Sequence, residues 1–203
     1  MKYCAIPLII LACACGDYAA NERAQAEPLK VLPELEWESS QVFFHNQSGL
    51  WKVKSDSSMA SGRIVSYASD GALVKVVPVV GGKREGVQLT YFPDGRLKFQ
   101  EHFSDNRLHG KVRRWSLNAG YQLVAELTYQ EGKLDGLQKK WYDTGEIHKV
   151  LTIRGGKEEG LQKAFRKNGA LYANYEARNG RVFGLKRSNL CYELEQEQVV
   201  YLQ

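Results

Sequence analysis

Histidine and paired carboxylates are the residues most able to do chemistry in this chain of 203 residues, and their spacing favours no reaction. The chain has four histidines at unrelated positions: His45, His102, His109 and His148. No His-Glu-x-x-His, Cys-x-x-Cys or Gly-x-Ser-x-Gly motif occurs, and there is no Walker loop. Glu158 and Glu159 are adjacent in a predicted turn, where their side chains point apart. The sequence therefore predicts no catalytic, metal or cofactor site.

The cysteines near the N-terminus point to a different chemistry, covalent lipid attachment. Residues 3–12 are mostly apolar but too few to cross a bilayer, which takes about 20 residues, and such a run is typical of a signal peptide. Ile10-Leu11-Ala12-Cys13 resembles the bacterial lipobox. Residues 1–15 are therefore predicted to be a lipoprotein signal with Cys13 lipidated, and Cys15 is the alternative site. Cys191, in an apolar stretch, is predicted to be a buried inert thiol.

An acidic, polar segment follows the signal. Residues 16–40 hold six acidic residues against two basic ones and show no sustained hydrophobic period. The segment is predicted to be a tether that lifts the folded part off a membrane surface, with its last residues joining the fold near Trp37.

Glycine marks an internal repeat, the strongest pattern in the sequence. Six glycines are separated by 24, 24, 26, 24 and 24 residues: Gly62, Gly86, Gly110, Gly136, Gly160 and Gly184. Five residues after each of the first five stands an aromatic: Tyr67, Tyr91, Trp115, Trp141 and Phe165. Nine residues after four of them stands a second glycine: Gly71, Gly95, Gly145 and Gly169. An aliphatic residue comes two positions later, as in Leu97 after Gly95.

The turn residues of this repeat predict hairpins. Asp94-Gly95 and its equivalents are Asx-Gly pairs flanked by apolar-polar alternation, a strong short-range hairpin signal. A Gly-Lys-like pair recurs before each next repeat, and Asn106-Arg107 fills that place in the second repeat. Asn is the next-best residue after Gly for a positive φ. Each repeat is thus predicted to be a hairpin with one packed face and one wet face, its aromatic residue in the core.

A lone hairpin cannot bury its apolar face, so the repeats must stack on one another. The sequence predicts an all-β fold, an elongated antiparallel meander of five successive β-hairpin repeats over residues 62–184. Within residues 41–61, a hairpin from Val42-Phe43-Phe44 to Trp51-Lys52-Val53 is predicted to cap one end. Residues 185–203 are predicted to supply cap strands at the other end.

The spacing resembles the MORN repeat in its bacterial variant form. Three segments carry the resemblance: Tyr91-Phe92-Pro93-Asp94-Gly95-Arg96-Leu97, Trp141-Tyr142-Asp143-Thr144-Gly145-Glu146-Ile147 and Glu131-Gly132-Lys133-Leu134-Asp135-Gly136. Bacterial proteins of this type are grouped as YwqK-type antitoxin-like proteins. The resemblance covers residues 62 to 184 and implies the meander of hairpins. It implies little about activity, because fold-level analogy does not carry function.

Charge gives the remaining functional hint. Residues 81–187 contain 21 Lys and Arg against 12 Asp and Glu, a net +9 against +5 for the chain. Arg113-Arg114, Lys139-Lys140 and Arg166-Lys167 stand beside repeat aromatics and are predicted to form a basic stripe along the sheet. Such a stripe attracts anionic lipid headgroups, acidic glycans or an acidic protein. The alternative is that these cations only solvate the sheet and protect its edges.

Two functions from different classes remain open. The first is a membrane-anchored, non-catalytic scaffold of the bacterial cell envelope, on its periplasmic or cell-surface side, that binds a protein partner or an anionic surface. The second is an antitoxin-like protein that neutralises a toxin in the cytoplasm, which requires that residues 1–15 are no signal. Nucleic acid is not an expected partner, because export separates the protein from nucleic acid and because the aromatic residues are assigned to the core. The sequence leaves the oligomeric state open.

Overall fold

The protein is all-β in a computed structural model that describes residues 35–118, 120–185, 192–195 and 198–201. Its strands are β1 (Glu36–Glu38), β2 (Val42–His45), β3 (Leu50–Val53), β4 (Gly62–Tyr67), β5 (Leu73–Val80), β6 (Lys83–Arg84), β7 (Gly86–Tyr91), β8 (Leu97–Ser104), β9 (Arg107–Ser116), β10 (Gln122–Gln130), β11 (Lys133–Leu134), β12 (Gly136–Trp141), β13 (Ile147–Arg154), β14 (Lys157–Phe165), β15 (Leu171–Arg178), β16 (Arg181–Leu185), β17 (Tyr192–Glu195) and β18 (Gln198–Tyr201).

One antiparallel meander contains most of these strands, which confirms the predicted fold class. The order is β1-β4-β5-β7-β8-β9-β10-β12-β13-β14-β15-β16, with β6 on β5 and β11 on β10. The exception to the meander is β1, which lies at the end of the predicted tether and pairs in parallel with β4. The predicted N-terminal hairpin is β2–β3, a separate two-stranded sheet, and β17–β18 forms another within residues 185–203.

Two-residue turns join the strands at one end of the hairpins. Both residues of each turn have positive φ, as a type I′ turn requires: Gly81–Gly82, Asp105–Asn106, Glu131–Gly132, Gly155–Gly156 and Asn179–Gly180. The positive φ predicted for Asn106 is confirmed at 68°. These turns stack on one another, because the second residue donates its N–H to the preceding repeat, as Gly132 does to the carbonyl of Leu108 at 2.8 Å.

Three-residue turns join the strands at the opposite end of the hairpins, at the predicted Asx-Gly pairs. The Gly95 N–H donates to the carbonyl of Phe92 at 3.0 Å, and the Phe92 N–H donates to that of Arg96 at 2.8 Å. Gly95 alone takes a positive φ, 81°, so the turn is a type I turn closed by a glycine bulge. Tyr91 is therefore the cross-strand partner of Leu97, which explains the fixed spacing between the repeat aromatic and the aliphatic residue.

From the second repeat on, the first glycine of the repeat lies in a strand bulge and not in a turn, whereas Gly62 pairs directly with Val79. Between the register pairs Ile153↔Glu158 and Leu151↔Gln162, the second strand has two more residues than the first. Gly160, inside this bulge, has a φ of 91°, and a Cβ added there would lie 3.5 Å from Cβ of Thr152. Gly136 occupies the same place beside Thr128.

In the bulges at Gly136 and Gly160, a glutamine side chain completes the hydrogen bonding that the bulge interrupts. Gln138 accepts from the Thr128 N–H at 2.9 Å and donates to the Thr128 carbonyl at 3.1 Å. Gln162 makes the same pair of bonds with Thr152, at 3.2 and 2.7 Å. Both glutamines are fully buried. The side-chain amide thus takes the place of a backbone partner, and the buried polar groups of the bulge are hydrogen-bonded within the sheet itself.

The buried hydrophobic cluster lies at the N-terminal end of the sheet. Val42 and Val53 of the separate hairpin pack with Ile64 and Val79 of the meander, and the indole N–H of Trp37 donates to the Ser61 carbonyl at 3.0 Å.

The expected aromatic core is wrong at Tyr67, which is 51% exposed. The other repeat aromatics are only half-buried: Tyr91, Trp115, Trp141 and Phe165. The meander rests on backbone pairing between neighbours more than on its aromatics.

We expect Gly95→Val to destabilise the fold by about 1–3 kcal/mol, because a β-branched residue is forced to a positive φ. Nothing lies within 4 Å of the added Cβ, so the loss reports backbone strain alone. Urea unfolding measures it, with Gly95→Asn as the milder control. Equal unfolding midpoints for wild type and Gly95→Val would contradict the glycine bulge.

We expect Gln138→Met to cost about 1–3 kcal/mol of unfolding free energy, since it leaves the backbone N–H of Thr128 without its partner, while the Thr128 carbonyl keeps the Asp135 N–H. Leu137→Met, an exposed and uncharged change on the same strand, is the control. A loss no larger than that of the control would show that the amide does not replace a backbone partner.

Candidate binding surface

The residues considered for catalysis are distributed over separate structural roles. Glu158 accepts from the Tyr175 hydroxyl at 2.9 Å, whereas Glu159 accepts from the Asn179 N–H at 3.2 Å. Within the described ranges, no group of three or more His, Cys, Asp or Glu side chains is placed to hold a metal ion. Cys13, Cys15 and Cys191 lie outside the described residues.

The carboxylate of Glu159 belongs to a repeated structural bond that the sequence analysis missed. Glu85, Asp135 and Glu159 each precede a repeat glycine, and each accepts the N–H of the first residue of a type I′ turn twenty residues later, at 2.9, 2.7 and 3.2 Å. Ser61 does the same through its hydroxyl for Gly81, at 2.8 Å. The acidic or hydroxyl residue that precedes four of the six repeat glycines was the available signal.

The predicted basic stripe divides between the two faces of the sheet. Successive side chains of a strand point to opposite faces, so Arg113 and Arg114 separate, as do Lys139 and Lys140. Arg166 and Lys167 lie in the turn region after β14, outside the strands. The single stripe formed by these three pairs is therefore wrong.

On the face of the sheet that holds Arg113 and Lys139, a carboxylate balances the cations. Glu126 is the cross-strand partner of both Arg113 and Lys139. Its carboxylate contacts Arg113 Nε at 2.8 Å and Lys111 Nζ at 3.4 Å. Burial raises the pKa of Glu126, but the Arg113 hydrogen bond and the Lys111 charge outweigh it and lower the pKa below its usual value. This carboxylate therefore stays ionised and balances the cations around it.

The opposite face of the sheet, which holds Arg114 and Lys140, carries a line of residues that we call the cation row. Direct register pairs connect its members across six strands in the order Arg114, Ala125, Lys140, Lys149, Ala164 and Ala173. Cross-strand partners share a face, and strands lie about 4.8 Å apart, so the row is about 24 Å long. It contains three cations and no carboxylate.

Two lysines of the cation row stand directly opposite each other. Lys140 on β12 pairs with Lys149 on β13, and like charges in this position destabilise a sheet. Neither lysine nor Arg114 makes an ion pair within the part of the chain that the structure describes. Lys149 was not among the predicted stripe residues. The register across the Gly145 turn, which brings it opposite Lys140, is the signal that identifies it.

Aromatic rings border the cation row. Tyr142 and His148 stack at 4.4 Å between ring centroids, and the Tyr172 hydroxyl lies 3.5 Å from His148 Nε2. At the other end of the row, the Arg114 guanidinium lies 5.9 Å from the centre of the Phe99 ring, and Lys98 Nζ lies 5.7 Å from it. The surface therefore offers positive charge and ring faces together.

A cavity of about 240 Å³ opens beside Lys149. Its lining includes Gln162, Ala164, Tyr172 and Tyr175, and also the carboxylate of Glu158. The Tyr175 hydroxyl donates a hydrogen bond to that carboxylate. Burial, followed by the bond to Glu158, raises the pKa of Tyr175 to about 12, so the phenol keeps its proton.

Comparison with known proteins adds no relative from which a role could be taken. A scan against the models of known protein families finds no match, and a search of the curated proteins finds none either. In the described part of the chain, no helix has the length and apolar character needed to cross a membrane.

We expect His148 to make folding less stable as the pH falls. Burial, then the charges of Lys149 and Lys140, lowers the pKa of His148 below its ordinary 6.5 in the folded protein. The unfolded chain therefore binds the proton first, and stability declines as the pH falls from about 7 through the lowered pKa. Urea unfolding at several pH values measures this decline.

His148→Gln should flatten that decline, and His45→Gln, at the separate hairpin, should leave it in place. The same pH dependence in His148→Gln as in the wild type would contradict the perturbed imidazole.

Proposed function

We propose that this chain is a lipid-anchored, non-catalytic protein of the bacterial cell envelope that acts as a binding scaffold for a protein or an anionic surface. The observation that carries the binding role is the cation row. Its opposed lysines Lys140 and Lys149 destabilise the free sheet, and an anionic ligand removes that repulsion.

The proposed anchor rests on the sequence alone. Ile10-Leu11-Ala12-Cys13 supports lipidation at Cys13, and the acidic residues that follow support a spacer between membrane and sheet. A polar spacer of this kind lets the sheet reach a ligand away from the membrane.

The proposed kinship with MORN-type repeats rests on spacing and on hairpin geometry. The glycine bulge at Gly95 and the paired Tyr91 and Leu97 give the repeat a physical reason for each of its fixed positions. A non-catalytic role agrees with the separate partners of Glu158 and Glu159. The proposal assigns the repeats to binding and not to turnover.

Intact-mass spectrometry of the protein recovered from bacterial membranes tests the anchor. We expect a diacylglycerol-sized increase over the processed chain that Cys13→Ser abolishes and Cys15→Ser retains. Loss of the increase in Cys15→Ser alone would move the anchor to Cys15. An unmodified full-length mass in the soluble fraction would contradict the anchor and favour the cytoplasmic antitoxin-like alternative.

A further inference from the structure

The cation row has the shape and charge of a site for one extended anionic chain. It runs across the strands and not along one of them, over about 24 Å at the usual strand spacing. Arg114 and Lys140 are exposed, and Lys149 is half-buried beside the cavity lined by Tyr172. The small side chain of Ala125 lies between Arg114 and Lys140, and those of Ala164 and Ala173 follow beyond Lys149.

A flat membrane fits this face poorly. Two large apolar side chains of the repeat body, Leu137 and Leu161, are 45% and 49% exposed. Each precedes by one residue a buried glutamine, Gln138 or Gln162, that shares the face of the cation row, so each leucine points to the opposite face. A lipid surface is bound best where cations and insertable apolar groups share a face, whereas Leu137 and Leu161 lie on the face opposite the cation row.

An acidic peptide also fits less well. Peptides bind sheets most often by adding a strand to a free edge, where main-chain groups are unpaired. The cation row lies in the interior, where Lys140 and Lys149 are flanked by paired strands on both sides. Only side chains are offered there, and rings such as Tyr172 provide flat apolar faces of the kind that pack against other rings.

We infer that the cation row binds an acidic polysaccharide, with Lys140, Lys149 and Arg114 contacting its carboxylate or phosphate groups and Tyr172 and Phe99 packing against its sugar rings. The row provides charge-assisted hydrogen bonds to the anions, and its small alanine side chains admit the chain. The inference deepens the proposed scaffold function and rests on it for its setting, because an envelope protein meets such polymers.

Calorimetric titration of the full chain carrying Cys13→Ser with oligogalacturonate tests the inference. Lys140→Gln with Lys149→Gln should weaken binding by at least about tenfold, because each loses a charge-assisted contact. The matched control is Lys111→Gln with Lys139→Gln, which removes the same charge from the opposite face, beside Glu126, and should change affinity less than about twofold. Tyr172→Ala should also weaken binding.

Other probes identify the ligand class. Methyl-esterified oligogalacturonate, which keeps the sugars and loses the charges, should not bind. Poly-glutamate and phosphatidylglycerol vesicles should bind at least about tenfold more weakly than the uronate. Equal binding of poly-glutamate, preference for vesicles, equal losses in both lysine pairs, or no binding of the uronate would each overturn the inference.

His148 provides a direct readout of occupancy. Carboxylates bound at Lys140 and Lys149 offset the positive charge that helps to lower the pKa of His148, so NMR titration should show that pKa rising when the uronate is present. An unchanged pKa with the uronate bound would place the ligand elsewhere and overturn the site. Intact mass tests the anchor separately, so failure of one experiment leaves the other interpretable.

Discussion

The strand bulge after four of the five type I′ turns is the constraint on which the rest of the meander depends. Two extra residues take the second strand away from the first, and the backbone N–H of Thr128 or Thr152 loses its cross-strand partner. The amide of Gln138 or Gln162 accepts from that N–H and donates to the carbonyl of the same residue. In the first such hairpin the equivalent residue is Pro78, which has no N–H to satisfy.

Turn chemistry could be predicted from the sequence because a positive φ selects Gly or Asn, and Gly95 and Asn106 both follow that rule. The bulge could not, because Gly136 and Gly160 look like turn glycines until the strand register is known. Burial was also hidden. Tyr67 is exposed because no second layer of structure packs over it. A buried glutamine is unusual for its residue type, and only its hydrogen bonds explain the burial.

The candidate surface follows from register in the same way. The sequence showed the doublets Arg113-Arg114 and Lys139-Lys140 but not that each divides between two faces with different charge balance. Glu126 balances one member of each doublet, and no carboxylate lies in the row that holds the other. Lys149 joins the row only because the Gly145 turn returns the chain opposite Lys140.

The succession of hairpins also determines how the molecule responds to mechanical load. From β4 onward, each strand in the order of the sheet pairs with strands next to it along the chain, so a hairpin is held by its neighbours alone. Tension applied between the two ends of the sheet would peel one hairpin at a time and leave the others paired. Each 24-residue repeat would release about 80 Å of extended chain, which makes the sheet a stepwise extensible spacer.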